Sequence, residues 1–226
     1  MKFYQEKNSG YYAIARTEIL PLLPEKAERI FEIGCADGST LLWVREQLAS
    51  SWAGGVELFE DAAEKARQRI DWVSQGNFEA MELPFDDNSM DLILCLDVLE
   101  HLVDPWAVIK RLHGLLKPGG VIIASIPNIR HAKVSLALLC RGEWNYTDVG
   151  ILDRTHIRFF TRSTAKQLVE SSGLKIDKVL SSSSDTWIWS WFNLFTFSLF
   201  KPLLEYQYLI RARKPEIDRN YSPGTS

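Results

Sequence analysis

The strongest constraint on the fold is a succession of short, almost wholly apolar runs separated by segments of helical periodicity. Met90-Asp91-Leu92-Ile93-Leu94-Cys95-Leu96 is the clearest of them, nearly all apolar, as a strand buried on both faces requires. The runs at 29–34 (RIFEIG), 54–57 (GGVE) and 121–127 (VIIASIP) read the same way. Helical patterns lie between them: 39–49 behind a Ser/Thr cap, 61–70 opened by Asp61, and 105–116 ended by Lys117-Pro118-Gly119-Gly120. A further helix is expected over 12–20, stopped by Pro21 and Pro24. Strands alternating with helices imply an α/β fold with a mostly parallel, doubly wound sheet. Near the end the rhythm changes. After a helix at 163–172, strands at 174–180 and 206–213 follow without a good crossover helix, which predicts an antiparallel hairpin on one edge.

One domain is expected over residues 1–226. It would comprise a helical segment (1–28), a ligand-binding core (29–127), insertions at 129–160 and 181–205 that cap the site and receive the acceptor, and a last strand with a flexible tail (206–226). The net charge of −3 offers no excess of cations to neutralise a phosphate backbone, so a nucleic-acid partner is not expected. The cysteines (Cys35, Cys95, Cys140) are odd in number and lack paired spacing. Neither disulfides nor a metal site is expected, and a reducing cytoplasm fits. The first residues, MKFYQEKNSGYY, have no apolar core and are not a signal peptide.

In an open α/β sheet, ligands bind beyond the C-terminal ends of the strands. Here the first strand leads into Glu32-Ile33-Gly34-Cys35-Ala36-Asp37-Gly38, whose small residues let the backbone turn tightly against a ligand. The helix from Ser39 then aims its N–H groups at the site. Glu57, at the end of the second strand, can accept hydrogen bonds from both hydroxyls of a ribose. A dinucleotide enzyme is the competing reading. It needs G-x-G-x-x-G, whereas Gly34 is followed here by Ala36 and Gly38. Glu32 would repel a pyrophosphate, yet it suits a cationic ligand such as an ammonium or sulfonium.

Glu32 to Gly38 resembles the first motif of class I S-adenosylmethionine-dependent methyltransferases, and Glu57 is similar to their ribose acid. Asn77-Phe78-Glu79-Ala80-Met81-Glu82-Leu83-Pro84-Phe85 resembles their adenine-contacting segment. Asp91 to Leu102 resembles their fourth-strand motif, and Leu116-Lys117-Pro118-Gly119-Gly120 the turn before the fifth strand. The run from Gly150 to Thr161 further resembles a bacterial subgroup near the ubiquinone-biosynthesis O-methyltransferases, some of which are tied to cell-surface glycan pathways.

This resemblance implies a Rossmann-like, seven-stranded sheet, S-adenosylmethionine as cofactor and S-adenosylhomocysteine as product. It implies a cofactor site formed by Glu32, Gly34, Cys35, Ala36, Gly38, Glu57, Leu58, Asn77, Phe78, Asp97 and Val98. The sequence departs from the family where Ala36 replaces the middle glycine and Asn77 replaces the usual adenine-binding acid. The expected reaction is O-methylation of a small molecule or glycan-related acceptor. A non-catalytic cofactor-binding protein and an NAD(P)-dependent oxidoreductase are the alternatives.

The cofactor carries the reactive methyl, so the protein must align the reactants and, for an alcohol, remove a proton. His156, His131 and His101 are the candidate bases. The uncharged aromatic stretch 187–200, which at 14 residues is short for a membrane span, reads as a lid or a homodimer interface ahead of a membrane-surface anchor. No Lys/Arg-rich face accompanies it.

Overall fold

The structure, a computed structural model, describes residues 15–183 and 201–216. Strands β1 (Arg29–Ile33), β2 (Trp52–Glu57), β3 (Trp72–Gln75), β4 (Met90–Leu96), β5 (Leu116–Pro127), β6 (Lys175–Ser183) and β7 (Glu205–Arg213) form one sheet in the order β3-β2-β1-β4-β5-β7-β6. The first five are parallel, and β7 runs antiparallel between β5 and β6. The Rossmann-like sheet with its C-terminal hairpin is therefore the one the sequence implies. The helices that flank it among the described residues include α1 (Ser39–Leu48), α2 (Glu60–Arg67), α3 (Pro105–Leu115), α4 (Ala132–Arg141) and α5 (Arg162–Glu170).

The apolar runs are continuous because the central strands are covered on both sides. In β1, Phe31 and Ile33 pack with Val108, Ile109 and Leu112 of α3 and Leu168 of α5. Ile30 points the other way, toward Leu41 and Val44 of α1 and Ala66 of α2. β4 divides likewise, with Ile93 and Cys95 on one face and Leu92 and Leu94 on the other. Because β1 lies between β2 and β4, strand order reverses there and opens a crevice above its C-terminal end.

Four local details differ from the sequence reading. β3 was not anticipated; it is a four-residue, half-buried edge strand with too few residues to show periodicity. β5 begins at Leu116, because the register shift between Met90 and Leu92 carries the Lys117–Gly120 turn into the strand. Of the helix expected over 12–20, the described part is a 3-10 helix, Thr17–Leu22, which includes Pro21. The insertion at 129–160 contains α4, which the sequence reading left unassigned. The aromatic stretch 187–200 lies outside the described residues.

The crossing of β1 and β2 is tight. A Cβ placed on Gly55 would lie 2.5 Å from Cβ of Cys35 and 3.2 Å from the Glu32 carbonyl. Gly55→Ala should cost about 1–3 kcal/mol through overpacking, read as a fall of several degrees in Tm by calorimetry. An unchanged Tm would mean that this approach is loose.

Candidate cofactor and acceptor site

Three of the five residues in the loop after β1 lie in the left-handed region. Gly34 has φ 70°, Ala36 φ 48° and Gly38 φ 80°. The N–H groups of Gly34 and Cys35 both donate to the Val56 carbonyl, at 2.8 and 3.1 Å, so the loop is stitched to β2 as it leaves β1. A Cβ on Gly34 would come within 2.6 Å of Cγ2 of Val98, and one on Gly38 within 3.3 Å of Cα of Ala66. The glycines are thus required both by backbone conformation and by contact with β4's exit loop and α2. The Cys35 side chain is buried in the core, where burial pushes its thiol far above the usual range. Its contribution to the rim is its backbone.

Glu57 closes the loop from the β2 side. Its Oε2 accepts from the Ala36 N–H at 2.8 Å, and its Oε1 accepts from the Phe59 N–H at 3.0 Å. Burial raises its pKa, while these backbone donors oppose the shift. The acid is therefore fixed at the rim beside Ala36, with lone pairs beyond those two bonds. Leu58, next in sequence, is 42% exposed and presents an apolar side chain at the same edge.

Glu32 is 3% exposed, and its Oε2 has no hydrogen-bond partner among the described residues. Burial pushes its carboxyl up to about 8, against the pull of the Arg16 guanidinium. Arg16 donates to Oδ2 of Asp97 at 2.5 Å, its backbone N–H donates to Oγ1 of Thr40, and it also pairs with Glu18. Asp97 itself has φ 54° and is locked by Ser125, which donates to its Oδ1 at 2.5 Å and accepts from its N–H at 2.9 Å. Sequence reading identified Glu32 and Asp97 but missed Arg16. Nothing in the pattern of the N-terminal segment marks a residue 81 positions from its partner.

On the β3 side the two expected adenine contacts separate. Asn77 is exposed, and its Oδ1 accepts from the Glu79 N–H at 3.0 Å. The Phe78 ring turns into the core, 6.4 Å from Phe31 and beneath the Arg111 guanidinium. The ring is therefore not at the rim, because the hydrophobic layer under α3 takes it. The Phe78 carbonyl accepts from the Arg111 guanidinium at 2.8 Å.

The three candidate bases fall into two groups. His131 is the N-cap of α4, where its Nδ1 accepts from the Lys133 N–H and its ring packs on Tyr206. Burial and Lys133 lower its pKa. His101 and His156 lie together, ring centroids 4.7 Å apart. The Nδ1 of His101 is 3.0 Å from the Thr155 carbonyl, and that of His156 is 3.0 Å from the Ile151 carbonyl. A carbonyl can only accept, so in each neutral ring Nδ1 carries the proton and Nε2 is the basic nitrogen.

The Nε2 of His156 is 3.9 Å from Oε1 of Glu100. Glu100 is 1% exposed, and neither of its carboxylate oxygens has a hydrogen-bond partner among the described residues. Burial, and after it Asp97, raises its pKa well above the usual carboxylate range. Donor atoms of Glu100, His101 and His156 all lie within 4.8 Å of one another, close enough to share a cation. The sequence reading expected no metal and did not bring this cluster together, because His156 lies 55 and 56 positions from His101 and Glu100. His156 also lines a cavity of about 450 Å³ with Tyr146, Arg154, Ile157 and Phe159.

The model of a family described as "Methyltransferase domain" matches residues 4–179. The chain is similar to the ubiquinone biosynthesis O-methyltransferase of Coxiella burnetii, 27% identical over 157 residues that make up 67% of this chain and 65% of that protein. It thus spans just under two thirds of that relative's length. It is also similar to the 27-O-demethylrifamycin SV methyltransferase of Amycolatopsis mediterranei, 34% identical over 107 residues, 44% of this chain and 39% of that one. Among solved structures, a SAM-dependent methyltransferase from Archaeoglobus fulgidus superposes with TM-score 0.66 at 17% identity, covering 94% of this chain and 99% of that one. That likeness is one of fold.

Ala36 carries a Cβ at a φ that disfavours L side chains. Ala36→Gly should raise stability by about 1 kcal/mol, less the added chain entropy of the unfolded state. Denaturant unfolding checks this, and a destabilised variant would mean that the loop conformation carries no strain.

Proposed function

The chain belongs to the methyltransferase-domain family, whose S-adenosylmethionine-dependent members share its fold, and we propose that it methylates a hydroxyl oxygen of a small-molecule or glycan-related acceptor. The observation that carries this reading is the rim itself. A Gly34–Gly38 loop with three left-handed residues is closed by the Glu57 carboxylate, beside a buried Glu32 whose Oε2 has no hydrogen-bond partner among the described residues. The names of the two relatives, both O-methyltransferases by name or by the position they methylate, favour oxygen as the acceptor atom.

The donor set fits the cofactor. S-adenosylmethionine carries a sulfonium, an ammonium and a carboxylate, and when bound it supplies an activated methyl, so no protein nucleophile is needed. Glu57 would hold the ribose hydroxyls through lone pairs that its backbone bonds leave. Glu32 and Asp97 would face the positive end, and Arg16 the carboxylate. Gly34, Ala36, Gly38 and the Cys35 backbone would let the chain approach closely, while Leu58, Val98, Asn77 and the Phe78 backbone would frame the adenosine. His156, with His101 and Glu100 behind it, would take the acceptor's proton in the cavity beside Tyr146 and Phe159. His131 stands apart as a helix cap and is the weaker base. The same three side chains could instead hold a divalent cation that lowers the acceptor's pKa.

Glu32 is largely protonated below about 8 in the ligand-free protein. A cation beside it lowers its pKa, so binding should release a proton, and affinity should rise with pH up to about 8 and then level off. Calorimetric titration in buffers of different ionisation enthalpy measures the proton count. Glu32→Gln should abolish the release, and a buffer-independent enthalpy in the unaltered protein would exclude Glu32 from the site.

Turnover is read as S-adenosylhomocysteine formed with a panel of phenolic, sugar and polyketide hydroxyls. His156→Gln should lower kcat by about 10²–10⁴ with cofactor Kd unchanged. Loss of activity on chelation, restored by a divalent ion, would favour the cation-assisted route. Turnover with none of the acceptors, despite tight cofactor binding, would favour a non-catalytic binding protein.

A further inference from the structure

The cap helix α4 buries one side and leaves the other bare. Val134 faces inward at 7% exposed, whereas Leu136 is 58% exposed, Leu138 44% and Leu139 81%. Leu136, Leu139 and Cys140 fall three and four positions apart and so share a face. Isolated exposed leucines are ordinary, but a stripe of them on one short helix is not. The charge around the stripe has one sign. Arg130 and Lys133 stand at its N-terminal end and Arg141 at its C-terminal end, all exposed, with no acidic residue between Ile129 and Gly142. The first acid is Glu143, which pairs with Arg141 at 3.0 Å. This local excess of cations occurs on a chain whose net charge is −3.

We propose that α4 is a membrane-docking helix, lying flat on an anionic lipid surface with Leu136 and Leu139 inserted at the headgroup boundary and Arg130 and Lys133 against the headgroups. An apolar stripe flanked by cations is the pattern of interfacial helices, and each basic residue near an anionic surface adds about 1 kcal/mol of attraction. At 10 residues the helix is about 15 Å long, enough to rest on a bilayer and far too short to cross it. No helix of the described residues is long and apolar enough to span one. α4 belongs to the same cap segment as Tyr146, Arg154 and His156. The inference goes beyond the proposed reaction and does not depend on it.

The test is sedimentation of the full chain with phosphatidylcholine vesicles, with and without phosphatidylglycerol, and needs no acceptor. The chain should pellet with the anionic vesicles only and be released by high salt. The double change Leu136→Glu, Leu139→Glu should cut the bound fraction by about tenfold or more while leaving Tm and S-adenosylmethionine binding in place. Should that variant fail to fold, a polarity-sensitive dye on Cys140 of the unaltered chain reports directly, since Cys35 and Cys95 are buried. Its emission should shift to the blue on adding anionic vesicles. Equal binding to neutral vesicles, or retained binding in the folded double variant, overturns the proposal. So does a dye already in an apolar setting before lipid is added, which would mean that residues 187–200 cover the helix. A dimer that the double change dissociates, with no vesicle binding, would assign the face to a second copy.

Discussion

The hydrogen bond from the Ala36 N–H to the Glu57 carboxylate joins the two halves of the crevice rim. The β1 exit must turn through three left-handed residues within five positions, and such a path persists only where its surroundings hold it. Val98 presses on Gly34 from the β4 side, Ala66 on Gly38 from α2, and Glu57 ties down the residue between. A carboxylate buried at a strand end is costly unless backbone donors meet it, and here the loop supplies one of them. The acid that shapes the loop is thus the one proposed to hold the ribose hydroxyls.

The electrostatics of the rim follow from that compactness. Glu32, Glu57 and Asp97 converge where β1, β2 and β4 end, and Arg16 answers them from the segment before β1. One guanidinium cannot balance them all. Burial, with Glu57 and Asp37 nearby, holds the Glu32 carboxyl well above its usual range, while Asp97 pairs with Arg16. A ligand bringing its own cation relieves this imbalance, and one bringing pyrophosphate would worsen it. That is the physical content of the choice between an adenosyl sulfonium and a dinucleotide, and it depends on Glu32 more than on the glycine count.

What could be read in the sequence was what repeats or sits close together along the chain. The runs in β1, β4 and β5 are continuous because both faces are covered, and the Gly34–Gly38 loop follows its strand at once. Ala36 could be flagged as a departure from glycine because the motif is local. Arg16, Glu100's contact with His156 and the turned-in ring of Phe78 were not readable, since each is decided by tertiary packing between segments far apart. β3 has only four residues at an edge, too few for any period to emerge. α4 escaped notice because its leucines face outward, so its apolar pattern lacks the polar outer face by which a helix is normally recognised.

Glu100 is one of the residues that join the cap to the turn leaving β4. The Glu100 carbonyl accepts from the N–H groups of both Ile157 and Arg158, at 3.0 Å each, while its side chain reaches toward His156. Glu100 lies three residues after Asp97, on the short 3-10 turn Leu99–His101 that leaves β4. A single turn therefore fixes Asp97, on the proposed cofactor side, and the His101–His156 pair, on the proposed acceptor side. Displacement of the Ile157–Arg158 backbone is transmitted to that turn, because the Glu100 carbonyl holds both N–H groups. In-line transfer needs donor and acceptor aligned to within a fraction of an ångström. Building both sides from the exit of one buried strand achieves this without a long chain of intervening contacts, and it leaves the rest of the cap, α4 included, able to vary with the acceptor or the surface it serves.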